Sequence, residues 1–186
     1  MCSSDLAIGH NGNLTNASRL RAELESQGSI FQTTTDSEII LHLLARPNDQ
    51  SRVQTLEAVM RRIQGAYSLL IMGEDEMIGI RDPFGFRPLV LGKLKTRVAE
   101  DGVDGMAYVL ASETCALDLI HAEFVRDIEP GEIVLINKHG IHSVNPWAET
   151  QQPHAFCIFE YIYFARSEEH TSELQSPCNL VCRLLL

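Results

Sequence analysis

The run Tyr67-Ser68-Leu69-Leu70-Ile71-Met72 is mostly apolar, and the polar stretch Glu74-Asp75-Glu76 separates it from Met77-Ile78-Gly79-Ile80-Arg81. Both runs are of strand length, and the break between them is too short for a crossover. The pair therefore reads as an antiparallel hairpin whose faces must be covered by the rest of the chain. The same character returns downstream. Leu89-Val90-Leu91, Tyr108–Ala111, Ile133–Ile136 and Ile141–Val144 read as strands, the last two forming a second hairpin through His139-Gly140. Glu113 to Ile120 reads as a short helix, and Lys93 to Gly105, rich in charge and glycine, as a mobile polar loop.

Ahead of the hairpin the period is helical. Leu20 and Leu24 mark a helix from Ala17 to Ser26, with Gly28 as its stop. Ile30-Phe31-Gln32-Thr33 is a short β-favouring run. Thr35 and Glu38 have the spacing of a capping box, after which Ile39, Ile40, Leu43 and Leu44 form one apolar stripe ended by Pro47. A third helix from Arg52 to Ile63 carries Val53, Leu56, Met60 and Ile63 on one side, and Gly65 ends it. Helices followed by hairpin-connected strands predict an α+β fold, with antiparallel sheet and segregated helices.

Composition narrows the partners. The 186 residues are 45% hydrophobic, enough for one core, and the net charge of −10 argues against nucleic acid or an anionic membrane as main partner. No apolar run approaches the roughly 20 residues of a membrane span. The first residues have no basic or long apolar region of the secretory kind. The five cysteines are odd in number and irregularly spaced. Cys178 and Cys182 have no histidine pair after them. They read as free thiols of a reducing cytoplasm.

The two ends differ from the middle. Ser167 to Pro177 is polar without sustained period, and Leu184-Leu185-Leu186 is an unsupported apolar end. With Arg166-Ser167-Glu168-Glu169 encoded AGA TCG GAA GAG, and CA opening the His170 codon, the reverse complement reads in frame as Cys2-Ser3-Ser4-Asp5 and permits Leu6. Residues 1–6 and 167–186 are accordingly read as adapter-derived, and residues 7–166 as the domain proper.

Two short stretches carry chemistry. In Ile8-Gly9-His10-Asn11-Gly12-Asn13 an apolar run breaks at Asn-Gly, the strongest short turn signal. Beyond a turn, an Asn side-chain N–H and the adjacent Gly backbone N–H can face one oxygen and stabilise a tetrahedral intermediate. Thr35-Asp36-Ser37-Glu38 opens a helix. Asp36 either satisfies free N–H groups there or pairs with a substrate ammonium, and it is free for a ligand only if Thr35 takes the capping. The two stretches read as halves of one pocket. His10, between strand and turn, reads as structural support. Cys115 and Cys157 read as core thiols, and Arg81-Asp82-Pro83 to Arg87-Pro88 as a turn braced by an internal Arg–Asp pair.

In sequence order, six segments resemble the glutamine amidophosphoribosyltransferase family. They are His10-Asn11-Gly12-Asn13-Leu14, Thr35-Asp36-Ser37-Glu38, Arg81-Asp82-Pro83-Phe84-Gly85-Phe86-Arg87-Pro88-Leu89, Ala111-Ser112-Glu113-Thr114-Cys115, Glu129-Pro130-Gly131-Glu132 and Phe159-Glu160-Tyr161-Ile162-Tyr163-Phe164-Ala165-Arg166. The first and third alone indicate a class II glutamine amidotransferase; the fourth and sixth narrow it to the purine enzyme. The resemblance implies an N-terminal-nucleophile (Ntn) αββα sandwich of antiparallel sheets, incomplete at its start. It implies that an N-terminal cysteine attacks the side-chain amide of L-glutamine, with its own α-amino group as base. Ammonia then passes to a second domain and displaces pyrophosphate from phosphoribosyl pyrophosphate (PRPP), the first step of purine synthesis. On this chain Asn11 and Gly12 match the oxyanion hole, and Asp36 matches the carboxylate that holds the glutamine α-amino group.

The departures from the family pattern are at the ends. Cys2 stands only eight positions before His10 and is followed by Ser3-Ser4-Asp5, so it is read as a decoy and the nucleophile as absent. The segment carrying an Arg for the glutamine carboxylate is read as missing, as is the phosphoribosyltransferase domain. The fragment is thus expected to be inactive and to hold no cofactor. The full-length enzyme is expected to be a cytoplasmic homo-oligomer using Mg2+, with Cys157 near the position of a ligand to a 4Fe–4S cluster in some members. The alternatives are the glutaminase part of another class II amidotransferase, against which residues 159–166 speak, and a non-catalytic ligand-binding module.

Overall fold

The computed structural model describes residues 6–46, 51–97, 104–148, 155 and the backbone of 182–185. Helix α1 (Ala17–Ser26) buries Leu20 and Leu24, whose four-residue spacing puts them on one side. It ends in a Schellman turn: Gly28, at φ 92°, donates its N–H to Glu25, and Ser29 donates to Leu24. Helix α2 (Asp36–Leu44) buries Ile39, Ile40, Leu43 and Leu44, the whole predicted stripe. Helix α3 (Arg52–Arg62) begins in a complete capping box, Ser51 with Gln54, and buries Leu56 and Met60.

The box expected at α2 does not form. Thr35 makes no side-chain cap bond, and Glu38 turns back to accept the N–H groups of Gln32 and Thr33 and the Thr33 hydroxyl. This carboxylate cradle holds residues 30–33 as a loop where a β-run was expected, and Ile30 is left exposed. The strands alternate in hairpins. The first sheet has the order β1 (Ala7–Leu14), β2 (Gly65–Met72), β3 (Glu76–Arg81), β7 (Ile133–Asn137), β8 (Gly140–Val144). The second has the order β6 (Glu123–Asp127), β4 (Val90–Arg97), β5 (Asp104–Ala111), β9 (Cys182–Leu185).

Every strand pairing is antiparallel, and a short helix α4 (Thr114–Leu119) follows β5. Helices α1–α3 pack their stripes on Tyr67, Leu69, Ile78 and Ile133 of one face of the first sheet. The opposite face, with Leu70, Met77 and Val134, meets Leu91 and Leu110 of the second sheet. The outer face of the second sheet, with Val90 and Val109, packs on Ala116 and Leu117 of α4. The layers run helix, sheet, sheet, helix, the sandwich implied by the resemblance.

The Asn-Gly turn is corrected by the structure. Asn11 and Gly12 lie inside β1, paired in unbroken register with Ser68 and Tyr67. Glycine serves close approach here: at Gly12, φ is 146° and a Cβ would stand 2.0 Å from the Ala66 carbonyl oxygen. Gly65 plays the reciprocal part, its Cβ position lying 2.2 Å from the Asn13 carbonyl oxygen. The loop expected from Lys93 is strand up to Arg97 and again from Asp104, because ladder bonds do not require apolar side chains. Strand β6 gave little signal because most of its side chains are exposed. The apolar end expected to be unsupported pairs through Cys182–Leu185 with β5. Ser167–Pro177 and Pro47 lie outside the described residues.

Candidate active site

Strand β1 is paired on one side only, with β2, and its other edge is open among the described residues. Which backbone groups face that edge follows from the ladder. Thr15 N–H donates to Gln64 O at 2.8 Å, toward β2, whereas Leu14 N–H turns outward to Asp36 Oδ2 at 2.9 Å. Antiparallel alternation then turns the Gly12 N–H outward as well. The neighbouring ladder agrees: Asp82 N–H donates to Tyr67 O, so Tyr67, opposite Gly12, spends its backbone groups on β3. The Gly12 N–H and the carboxylate of Asp36 thus share one edge, two residues or about 7 Å of strand apart.

Asp36 is the first residue of α2 but caps nothing in its own helix. Its Oδ2 holds Leu14, and its Oδ1 lies 3.2 Å from His10 Nδ1. Its side chain is 21% exposed. A carboxylate has about four lone-pair sites, so these two contacts leave capacity for a cation from the open edge. His10 is buried, and the Ser37 hydroxyl lies 3.4 Å from its Nδ1. Burial lowers the His10 pKa; the Asp36 charge and hydrogen bond oppose this, and the Arg87 charge adds to it. A carboxylate only accepts, so the pairing puts the imidazole proton on Nδ1. His10 Nε2 and the Tyr67 hydroxyl are buried with no hydrogen-bond partner among the described residues. Burial and the Asp82 charge raise the Tyr67 pKa.

Successive side chains of a strand alternate in face. His10 turns to the helix layer and Asp36, so Asn11 turns to the second sheet, where its Nδ2 lies 3.3 Å from Ser112 Oγ. The structure therefore brings His10 to Asp36, and Gly12 to the same edge as Asp36. It places the Asn11 side chain on the other face of the strand, beside Ser112. Sequence reasoning missed Ser112 as part of this site; its only signal was membership of the Ser-Glu-Thr-Cys segment.

The turn after β3 is braced differently from expectation. Arg81 donates to the carbonyls of Gly85, Arg87 and Ile128, while the buried Asp82 accepts the N–H groups of Phe84 and Arg87. Each side chain satisfies backbone on its own account, and burial raises the Asp82 pKa against the pull of these N–H groups. Cys115, expected in the core, is exposed, because α4 turns Ala116 and Leu117 inward instead. Partial burial and the neighbouring Glu113 push its thiol pKa up. Among the described residues no three His, Cys, Asp or Glu side chains converge as a metal site requires. Cys2, Cys157 and Phe159–Arg166 lie outside them. No helix among them is long and apolar enough to cross a membrane.

The chain is similar in sequence and in fold to known proteins. The chain is 42% identical over 165 residues to the amidophosphoribosyltransferase of Bacillus subtilis (strain 168), across 89% of this chain and 32% of the relative. It is 42% identical over 162 residues to the chloroplastic amidophosphoribosyltransferase 2 of Arabidopsis thaliana, across 86% of this chain and 27% of that protein. The chain thus spans about a third or less of the length of these relatives. Among solved structures, the glutamine PRPP amidotransferase of B. subtilis complexed with ADP and GMP superposes with a TM-score of 0.74 at 40% identity, covering 89% of this chain and 34% of that one. A glutamine aminotransferase class-II domain protein from Silicibacter pomeroyi shares the fold, with a TM-score of 0.50 at 13% identity over 75% of this chain and 65% of that one. Residues 1–118 match the family model described as glutamine amidotransferase domain, and the chain belongs to that family.

Proposed function

We propose that this domain binds L-glutamine along the open edge of β1 and releases ammonia from its side-chain amide, as the glutaminase part of an amidophosphoribosyltransferase. The observation that carries the reading is the shared edge. The Gly12 N–H faces outward at one point, and the Asp36 carboxylate is anchored two residues further along. An amide oxygen developing negative charge suits the first, and an α-ammonium suits the second. Asn11 supplies a second donor beside Gly12, and His10 supports Asp36.

In this reading the N-terminal cysteine of the longer enzyme, a role Cys2 does not fill, gives its thiol proton to its own α-amino group and attacks the glutamine amide carbon. Asn11 and Gly12 hold the tetrahedral oxyanion, the protonated α-amino group returns its proton to the leaving nitrogen so that collapse expels ammonia, and water then cleaves the thioester to glutamate and the free thiol. Ammonia displaces pyrophosphate from PRPP in a second domain of a longer, cytoplasmic, homo-oligomeric enzyme. Mg2+ and, where the member carries one, a 4Fe–4S cluster to which a cysteine near the position of Cys157 would be a ligand are expected of that longer enzyme, and no step above runs through them.

The test is a chimaera in which residues 7–148 replace the matching stretch of the B. subtilis amidophosphoribosyltransferase. It is expected to release glutamate from glutamine. Asn11→Ala is expected to lower kcat roughly 10²–10³-fold with a smaller change in KM, because the oxygen it serves is charged mainly in the transition state. A folded chimaera without glutaminase activity, or one indifferent to Asn11→Ala, overturns the reading.

A further inference from the structure

We propose that Ser112 is a positioning residue for the oxyanion hole. Its hydroxyl oxygen holds one N–H of the Asn11 amide and leaves the other to face the reacting oxygen. The inference rests on the reading of Asn11 as an oxyanion donor. Its own observation is the contact of Asn11 Nδ2 with Ser112 Oγ at 3.3 Å, between residues 101 apart in the chain.

The two residues differ in how firmly they are held. Asn11 belongs to a strand with a ladder on one side only among the described residues. Ser112 is 6% exposed and follows Leu110 and Ala111, both fully buried. Beyond it, α4 buries Ala116 and Leu117 against the second sheet. The second sheet therefore fixes Ser112, and Ser112 can fix Asn11.

Fixing matters because a primary amide is two-faced. Its Nδ2 carries two donors, and its Oδ1 is an acceptor that would repel an oxyanion. An amide free to rotate presents either end. With one N–H given to Ser112, the planar group turns its nitrogen end to the site, and the second N–H remains for the substrate. Ser112 touches no reacting atom, so its effect passes through Asn11 and belongs to the transition state.

The experiment pairs kinetics in the chimaera with 15N NMR of the 186-residue chain. Loss of one neutral hydrogen bond is expected to lower kcat about 3- to 10-fold in Ser112→Ala, with KM for glutamine unchanged. Ser112→Thr, which keeps the hydroxyl, is expected to restore kcat. Adding Ser112→Ala to Asn11→Ala is expected to cost nothing further. In the chain itself, the Asn11 side-chain amide protons are expected to exchange with solvent faster in Ser112→Ala than in wild type or Ser112→Thr. If Ser112→Ala does not fold, Ser112→Cys keeps the volume with a weak acceptor and is expected to give the same results. An unchanged kcat in the serine variant beside an impaired Asn11→Ala overturns this inference and leaves the glutaminase reading standing. So do fully additive losses in the double variant. A normal kcat in Asn11→Ala overturns both.

Discussion

His10 Nδ1 lies 3.2 Å from Asp36 Oδ1, a contact that ties strand β1 to the first residue of α2 across 26 positions of the chain. It fixes the tautomer of the imidazole, with the proton on Nδ1 toward the carboxylate. The imidazole is buried and its pKa is lowered from 6.5, chiefly by desolvation. A lowered folded-state value means that the unfolded chain binds the proton more readily. The folded state is therefore favoured fully above pH 6.5 and loses stability as pH falls below it. Urea unfolding at several pH values is expected to show this loss as pH falls below 6.5 in the wild type, and less of it in His10→Gln. Identical profiles would remove His10 from the account.

Asp36 has a structural and a proposed substrate role, and two variants separate them. Asp36→Ala leaves Leu14 N–H and His10 without their acceptor and is expected to cost about 2 kcal/mol in urea unfolding. Asp36→Asn keeps an oxygen for Leu14 and is expected to recover most of that stability. In the chimaera, both are expected to raise KM for glutamine about 10-fold with little change in kcat, since the ammonium partner is present in the bound ground state. A KM restored in Asp36→Asn would assign Asp36 to structure alone.

Gly12 admits no side chain. A Cβ there would lie 2.0 Å from Ala66 O, on a backbone with φ of 146°. Gly12→Ala must push β1 away from β2 and is expected to destabilise the fold by about 3 kcal/mol or more. Thermal melts of the purified chain read this directly. Gly28→Ala, at a positive φ but with nothing within 4 Å of its Cβ, is expected to cost less.

Glu38 couples the loop before α2 to the helix and to pH. The N–H of Gln32 and the Thr33 hydroxyl hold its pKa down, from 4.5 to about 2. A depressed folded-state value contributes stability that is full above pH 4.5 and is lost as pH falls toward 2. Acid titration followed by circular dichroism is expected to show a steeper loss over that window in the wild type than in Glu38→Gln. Equal slopes would show that the cradle does not form in solution.

Much of the architecture was legible because it depends on neighbours in sequence. The stripe Ile39, Ile40, Leu43, Leu44 and the runs on either side of Glu74-Asp75-Glu76 state their own periods, and those periods dictate which side chains share a face. Gly28 likewise announces the end of α1. That the stretches of His10 and Asp36 meet was readable from their motifs.

What those residues do to one another was decided elsewhere in the fold. Asn11-Gly12 has the local chemistry of a turn, and it is strand because Ser68 and Tyr67 arrive beside it. Thr35 and Glu38 have the spacing of a capping box, but the Gln32 and Thr33 N–H groups compete for the same carboxylate and win. Local spacing determines which side chains leave an element together. Which atoms they meet is determined by segments 26 positions away for His10 and 101 for Asn11, and only the closure of the sheets brings those segments within hydrogen-bonding reach.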